Sequence, residues 1–320
     1  INTIKYYNAN RKKESLEQKE RKLLFDFFLK KEKNFKFEEI RNFLDKQFKS
    51  KKKYNYPIDK DGKYDTSVSG MPVCKGLIDV FGDTVKSALS DIHQYNIGSI
   101  CLFQGSPVKQ ATMINGLQAI AKTPLLVTID AEWGVGMRMT DSVLPLPKQM
   151  MLGAVQDSSI AYEYGRIVAE QCKRVGVQVN FAPVVDVNNN PDNPVINDRS
   201  FGEDKYKVAS FGIQYMKGMQ DYGVMACAKH FPGHGDVSVD SHYDLPVINK
   251  TMAQLEALEL YPFREIFKAG VGSVMIAHLY IPSIDTSANR ATSLSKNNVT
   301  NLLRNELGYQ GLSFTDALEM

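Results

Sequence analysis

The chain has 320 residues, of which 43% are hydrophobic and 23% are charged, and its formal net charge at pH 7 is +3. This composition is ordinary for a globular protein and excludes a collagen-like or wholly disordered chain. No stretch approaches ~20 consecutive apolar residues, which excludes a membrane-spanning helix. The four cysteines show no CxxC spacing, so neither a disulfide scaffold nor a zinc ribbon is predicted.

The first 75 residues differ in character from the rest of the chain. Residues 1–60 carry 18 lysines and arginines against 9 aspartates and glutamates, whereas the remaining 260 residues carry 21 against 27. A basic segment of this kind can bind nucleic acid or an anionic membrane, but it contains no recognisable nucleic-acid motif. We therefore expect residues 1–75 to be a basic extension of uncertain structure, and we expect no nucleic-acid partner. Val73 and Cys74 offer a possible first strand.

The chain begins with Ile1 rather than Met, so we expect its natural N-terminus, and any signal peptide, to lie upstream. The bacterial cytoplasm and the cell envelope both stay open as locations. The sequence does not indicate an oligomeric state.

From residue 76 onward, short apolar runs alternate with amphipathic stretches, which is typical of a parallel sheet covered by helices. A serine is expected to cap the helix that begins near Ser159. The predicted strands are 98–103, 125–130, 178–187, 224–229, 273–278 and 311–315. The predicted helices are 78–95, 107–121, 158–175, 205–221, 252–269 and 295–307.

This alternation fits either an open doubly wound sheet or a closed (β/α)8 barrel of the TIM type. Nearly every predicted strand ends in residues able to do chemistry, and only a barrel brings all of these ends to one face. No GxGxxG or GxxxxGK[ST] loop follows a strand, which disfavours a nucleotide-binding sheet. We therefore predict the barrel. The strand-end residues are Asp130, Glu132, Asp186, Lys229, His230, His278 and Asp316.

Three of the five histidines lie in the segment ACAKHFPGHGDVSVDSHYDLPVI, residues 226–248. One interpretation is a metal site with His230, His234, Asp240 and His242 as ligands. An HxxxH pair needs a helix to bring its two ligands together, and Pro232 inside the pair disfavours one. We therefore expect no metal ion and no other cofactor.

A second interpretation of the same segment is acid–base chemistry. Asp240 and His242 are two residues apart, and a carboxylate beside an imidazole fixes its tautomer and stabilises the imidazolium. Such a histidine can protonate a leaving oxygen and later deprotonate a water molecule. Asp316 follows the last predicted strand, and a carboxylate there is a competent nucleophile toward the cationic carbon of a glycosyl transition state.

Four segments together resemble glycoside hydrolase family 3, and within it the NagZ-like β-N-acetylglucosaminidases. The long motif KHFPGHGDxxxDSHxxLP spans residues 229–246, and the sequence TDALEM at 315–320 is similar to the family's nucleophile element. The segments IDAEWG at 129–134 and VDVNNNPDNPVINDRSFG at 185–202 also resemble family segments. The expected domain organisation is a basic extension at 1–75 and a family 3-like barrel domain at 76–320.

The resemblance implies a retaining, two-step hydrolysis of terminal β-linked N-acetylglucosamine, as in peptidoglycan turnover fragments. Asp316 is then the nucleophile, His242 the general acid and base, and Asp240 its dyad partner. The residues implied to hold the sugar are Asp130, Arg138, Arg199, Lys229 and His230. The only partner expected is a small carbohydrate substrate.

The chain stops at Met320, soon after the implied nucleophile, so we expect a barrel incomplete at its C-terminus. Two alternatives therefore stay open: a truncated barrel that binds sugar without catalysis, and a β-glucosidase of the same family. A neutral imidazole in place of a second carboxylate also leads to the hypothesis that phosphate competes with water as the acceptor.

Overall fold

The computed structural model describes residues 83–140, 143–241 and 243–318. The six predicted strands are confirmed, as β1 (Ser99–Leu102), β2 (Leu126–Ile129), β3 (Val179–Asn180), β4 (Met225–Phe231), β5 (Ser273–Ile276) and β6 (Leu312–Thr315). The basic segment 1–75 and the possible strand at Val73–Cys74 lie outside the described residues.

The six strands form one sheet in the order β1-β2-β3-β4-β5-β6, and every neighbouring pair is parallel. A doubly wound sheet reverses its strand order at a switch point, whereas a barrel adds each strand beside the previous one. The sheet is therefore a parallel half-barrel of the TIM type, and the doubly wound alternative is wrong.

The sheet curls strongly, as the contact between Phe181 and Phe314 shows. Phe181 follows β3 and Phe314 belongs to β6, and their ring centroids lie 5.1 Å apart. In a flat sheet these strands, three spacings apart, would be separated by about 14 Å. Both rings pack with the buried side chains of Val179, Cys227 and Met275, so this apolar cluster fills the concave face.

The strand β3 is much shorter than the predicted run 178–187. Pro183 has no N–H to donate to a neighbouring strand, which ends regular pairing soon after Asn180. Pairing with β4 resumes as an isolated bridge between Val184 and Lys229, with the Val185 N–H donating to the Lys229 carbonyl at 2.8 Å. This irregular stretch leads directly to Asp186.

The helices match the predicted periodicity with three differences. The helices are α1 (Asp83–Tyr95), α2 (Pro107–Ile120), α3 (Gln149–Gly153), α4 (Ser159–Arg174), α5 (Lys205–Asp221), α6 (Met252–Ala257), α7 (Leu260–Lys268) and a π-helix at Asn297–Glu306. The prediction missed α3. Ser158 occupies the N-cap position of α4 as expected, but its side chain makes no capping hydrogen bond, and Asp157 accepts the Ser159 N–H at 2.9 Å.

The predicted helix 252–269 is divided into α6 and α7. Pro262 lies in the first turn of α7 and lacks an N–H for the Leu258 carbonyl, so one continuous helix cannot form there. The division places Glu259 at the junction, with its side chain only 1% exposed. Sequence periodicity alone did not indicate this buried carboxylate.

Two compact units divide the chain. The described part of the first consists of residues 83–96 and 112–122, with Leu89, Ile92 and Leu117 buried. The second consists of residues 97–111 and 123–318 and contains the whole sheet. Among the described residues, no helix has the length and apolar character needed to cross a membrane.

Candidate functional site

Charged side chains gather at the edge of the sheet where the parallel strands end. Asp130 directly follows β2, Lys229 and His230 lie in the C-terminal half of β4, and Asp316 directly follows β6. The backbone N–H of Asp316 donates to the carbonyl of Ile276, the last residue of β5, at 3.0 Å. The topology thus brings together residues that are up to 186 positions apart in the sequence.

Asp130 forms ion pairs with two basic side chains, Lys229 and Arg138. Its Oδ1 lies 2.6 Å from Lys229 Nζ, and its Oδ2 accepts from Arg138 Nη2 at 3.0 Å. Arg138 also donates from Nε to the Asp130 carbonyl at 3.1 Å. About a fifth of each of the Asp130 and Arg138 side chains is exposed, at 20% and 22%, so both can also contact a ligand.

Glu132 forms the second, deeper ion-pair cluster. Arg199 donates to it through two nitrogens, Nε at 2.9 Å and Nη2 at 2.7 Å, and Lys229 Nζ lies 2.7 Å from its Oε1. Burial acts to raise the pKa of Glu132, but the charges of Arg199 and Lys229 hold it well below its usual range. Burial acts to lower the pKa of Lys229, and Asp130 and Glu132 raise it above its ordinary value.

The backbone between the two carboxylates is fixed by buried polar groups. The Asn180 side chain accepts from the Ala131 N–H at 2.9 Å and donates to the Ala131 carbonyl at 3.1 Å. The Tyr215 hydroxyl donates to the Glu132 carbonyl at 2.9 Å. These contacts hold Asp130 and Glu132 at fixed positions on the strand edge.

His230 is held between an acceptor and a donor. Its Nδ1 lies 2.7 Å from Asp186 Oδ2, and its Nε2 lies 3.3 Å from Arg199 Nη2. Arginine has only donors, so Nε2 accepts, and Nδ1 carries a proton that points at Asp186. The geometry therefore defines the roles of the two ring nitrogens, with Nδ1 facing an acceptor and Nε2 facing a donor.

Asp186 is fully enclosed and accepts several hydrogen bonds. Besides the His230 ring, it accepts the His230 N–H at 3.1 Å and the His234 N–H at 2.7 Å. Burial acts to raise the pKa of Asp186, and the contacts with His230 and His234 hold it below its ordinary value. Asp186 thus fixes the backbone on both sides of Pro232 by accepting the N–H groups of His230 and His234.

Four carboxylates lie at this edge of the sheet, and among the described residues Asp316 is the one without an ion-pair partner. Its Oδ1 accepts the Ala317 N–H at 2.9 Å. Burial acts to raise the pKa of Asp316, but the His230 ring, the Ala317 N–H and the Lys229 ammonium lower it overall. Asp316 is therefore ionised at neutral pH and lies within electrostatic reach of Lys229 and His230.

The charges of the cluster nearly balance. The carboxylates of Asp130, Glu132 and Asp186 are equal in number to the cations Arg138, Lys229 and Arg199 around them. Asp316 adds one further carboxylate, which has no ion-pair partner among the described residues. A site with this charge favours a ligand that becomes positively charged at the atom nearest Asp316.

His278 joins β5 to the turn after Asp316. Its Nε2 lies 2.9 Å from the Ala317 carbonyl, which can only accept, and its Nδ1 lies 2.6 Å from Ser293 Oγ. A cleft of about 340 Å³ opens beside it. Apolar side chains on the cleft include Tyr243, Leu294 and Leu318, which are 88%, 71% and 74% exposed.

The segment between β4 and α6 contains the predicted acid–base pair. Asp240 is partly buried, and its carbonyl accepts the N–H groups of Tyr243 at 3.0 Å and Asp244 at 3.3 Å in a turn. His242 lies outside the described residues, so its predicted pairing with Asp240 stays a prediction.

The alternative metal site does not fit the geometry of its first ligand. Asp186 and Arg199 occupy both ring nitrogens of His230, which leaves neither of them for a cation. Among the described residues, no group of three or more His, Cys, Asp or Glu side chains is arranged to hold a metal ion.

Several residues of the cluster received no role from the sequence. Glu132 and Asp186 stood among the strand-end residues, and that position was the available signal for them. Asn180 is a polar residue inside an apolar strand, which indicates a side chain that must find hydrogen bonds. Tyr215 offered no such signal, because it lies in the middle of an amphipathic helix.

Comparisons with known proteins agree with this geometry. The sequence profile of the glycosyl hydrolase family 3 N terminal domain matches residues 74–320. The chain is 38% identical over 260 residues to β-hexosaminidase A of Pseudoalteromonas piscicida, covering 74% of this chain and 44% of that protein.

Solved structures give the same result. A family 3 β-N-acetylglucosaminidase from Paenibacillus sp. str. FPU-7 superimposes with a TM-score of 0.68 at 42% identity, over 71% of this chain and 44% of that one. NagZ from Neisseria gonorrhoeae superimposes with a TM-score of 0.65 at 31% identity, over 69% and 67% of the two chains. The chain spans about half the length of several relatives that it matches. The chain belongs to glycoside hydrolase family 3.

Proposed function

We propose that this protein is a retaining glycoside hydrolase that releases terminal β-linked N-acetylglucosamine, as from peptidoglycan turnover fragments. The observation that carries the proposal is the ionised Asp316, which has no ion-pair partner among the described residues, beside a cluster of paired charged side chains. We also propose that residues 76–320 are the barrel domain, with residues 1–75 as a basic extension, and that the six strands belong to a (β/α)8 barrel. The family match at residues 74–320 supports this division.

In the first step, the Asp316 carboxylate attacks the anomeric carbon while the glycosidic oxygen leaves. The transition state resembles an oxocarbenium ion, so its positive charge is stabilised by the negative charge of the Asp316 carboxylate. The bond formed is an ester between Asp316 and the sugar, and the bond broken joins the sugar to its leaving group. Water then attacks this glycosyl-aspartate and restores the free carboxylate.

The proton moves through His242 in the proposed reaction. His242 gives its proton to the leaving oxygen in the first step and accepts one from water in the second. Asp240, two residues earlier on the same turn, is proposed to stabilise the imidazolium between proton transfers. The family resemblance of residues 229–246 supports both roles.

Asp130, Arg138, Arg199, Lys229 and His230 are proposed to hold the sugar. Asp130 and Arg138 stay partly exposed within their ion pair, and we propose that both contact hydroxyl groups directly. Charge-assisted hydrogen bonds of this kind fix a polar ring in one orientation and lower the entropic cost of reaching the transition state. The deeper Lys229 and Glu132 fix the outer side chains.

The names of the relatives support the choice of N-acetylglucosamine over glucose, because they are described as β-hexosaminidases and β-N-acetylglucosaminidases. Two measurements separate the alternatives. A β-glucosidase would cleave the 4-nitrophenyl glucoside faster than the 4-nitrophenyl N-acetylglucosaminide. A sugar-binding barrel without catalysis would be stabilised by N-acetylglucosamine yet cleave neither compound.

The direct test is release of 4-nitrophenol from 4-nitrophenyl β-N-acetylglucosaminide by the full-length gene product. Asp316→Ala should reduce kcat by more than about 1,000-fold, since no other group replaces a lost nucleophile. Asp198→Asn, which changes an exposed carboxylate paired with Lys148, is the matched control and should retain activity. A wild-type protein without turnover would contradict the proposal.

A further inference from the structure

The segment from Asp236 to Lys250 connects β4 to α6 and carries Asp240 and position 242. Its ends are well anchored. At the N-terminal end, Asn190 donates to the Val237 carbonyl at 3.0 Å. At the C-terminal end, the Ile248 N–H donates to the Tyr280 carbonyl at 2.9 Å.

Local turns shape the middle of the segment. The N–H groups of Tyr243 and Asp244 donate to the Asp240 carbonyl, and the Leu245 N–H donates to the Asp244 carboxylate at 2.8 Å. The hydrogen bonds at Val237 and Ile248 join the two ends of the segment to the rest of the domain. How these ends are held therefore contributes to the position of the segment.

A three-residue ion-pair cluster joins these ends. Lys250 Nζ lies 2.7 Å from Asp236 Oδ2, and the same ammonium group donates to Glu259 Oε1. The cluster becomes more buried from the loop inward, since the Asp236, Lys250 and Glu259 side chains are 30%, 18% and 1% exposed. One lysine thus connects the start of the segment, its end and the α6–α7 junction.

Glu259 anchors this cluster on the protein backbone. A Cβ atom added to Gly233 would lie 2.7 Å from the Glu259 Cβ, so the Glu259 stem packs directly on the backbone just after His230. The Glu259 Oε2 is buried and has no hydrogen bond among the described residues. Lys250 is therefore the cation on which the burial of this carboxylate depends.

We infer that Lys250, through Asp236 and Glu259, is a positioning residue for Asp240 and His242. This inference rests on the proposed function, because it assigns to Lys250 the task of holding the proposed acid–base pair over the sugar. Removing the Lys250 charge leaves the Asp236 and Glu259 carboxylates facing each other, and their repulsion separates the two ends of the segment. The segment that carries Asp240 then loses a constraint that joins its two ends, while Asp316 and the sugar-binding cluster stay in place.

The kinetic test compares two substrates in the full-length gene product. N,N′-diacetylchitobiose has a poor leaving group that needs protonation, whereas 2,4-dinitrophenyl β-N-acetylglucosaminide has one that leaves unprotonated. Lys250→Met and Asp236→Asn should reduce kcat/KM for the disaccharide by about 10- to 100-fold, a part of what acid catalysis contributes. The same variants should change kcat/KM for the dinitrophenyl substrate by less than about 3-fold, and Lys250→Arg should restore most of the loss.

Two further measurements separate positioning from general destabilisation. Hydrogen exchange of peptides from residues 237–249 should quicken in Lys250→Met, while exchange in α4 should be unchanged. Lys268→Met, which breaks the exposed pair with Glu265, is the control and should change neither exchange nor kinetics.

Equal losses on both substrates, or unchanged exchange at 237–249, would overturn the inference. A wild-type protein that cleaves neither substrate would instead refute the proposed function, and the exchange result alone would then decide whether Lys250 holds the segment.

Discussion

Lys229 and Glu132 form an ion pair in which Nζ and Oε1 are 2.7 Å apart and the two side chains are only 2% and 1% exposed. The same ammonium group binds Asp130 at 2.6 Å. Lys229 therefore stabilises two carboxylates from one strand end, one deeply buried and one open to a ligand. This links the stability of the fold directly to the geometry of the proposed sugar site.

Replacing Lys229 should be strongly destabilising. Lys229→Met leaves Asp130 and Glu132 without their shared cation, and loss of one partner from a buried pair costs about 3–5 kcal/mol. Urea unfolding of the full-length gene product measures this difference. Lys268→Met removes an exposed pair and should cost less than about 1 kcal/mol. Similar losses in both variants would show that the buried cluster contributes little.

The free energy of unfolding should fall as the pH is lowered below about 6.5, the ordinary pKa of histidine. Burial, with the neighbouring His230, lowers the pKa of His234 to about 4. A lowered pKa means that the folded state resists protonation, so the contribution of His234 is complete above pH 6.5 and is lost as the pH falls toward 4.

His234→Asn should flatten the stability profile between pH 6.5 and 4, by about 2–3 kcal/mol over that range. Asp186, Asp316 and Glu132 also have lowered pKa values, but their contributions are lost only as the pH falls below about 4. Thermal unfolding at a series of pH values measures both regions. An unchanged slope above pH 4 in the variant would contradict the assignment to His234.

The tautomer of His230 can be measured by itself. The geometry requires the proton on Nδ1, donated to Asp186, and a bare Nε2 facing Arg199. Nitrogen-15 NMR of the imidazole should therefore show Nδ1 protonated and Nε2 unprotonated at pH 7. Asp186→Asn should disturb this pattern, since the amide no longer offers two carboxylate oxygens. Protonation at Nε2 in the wild type would contradict the described network.

Phosphate should compete with water as the acceptor in the second step. With an imidazole rather than a second carboxylate as the base, an anionic acceptor meets less repulsion at the glycosyl-aspartate. Product analysis with and without phosphate buffer should reveal N-acetylglucosamine 1-phosphate only in its presence. Identical products in both buffers would exclude this acceptor.

Much of the fold follows from local sequence patterns. Apolar runs separated by amphipathic stretches located all six strands, and polar residues at the strand ends distinguished a barrel-like sheet from a doubly wound one. The break between α6 and α7 was present in the sequence as Pro262, yet the continuous apolar periodicity concealed it.

The site was only partly visible in the sequence. The charged strand-end residues stood out, but their pairing depends on contacts across 99 positions between Asp130 and Lys229. The Asp236–Lys250–Glu259 cluster joins two ends of a loop to a helix junction, and no local pattern predicts such a contact. Sequence patterns report periodicity along the chain, whereas these contacts are fixed by the curvature of the sheet.

In the proposed mechanism Asp316 becomes covalently bonded to the sugar. The most direct measurement is mass spectrometry of the full-length gene product after reaction with a 5-fluoro N-acetylglucosaminyl fluoride, which slows hydrolysis of the intermediate. We predict one sugar adduct, located by peptide fragmentation on Asp316. An adduct on another residue, or turnover of the reagent with no adduct formed, would contradict the account.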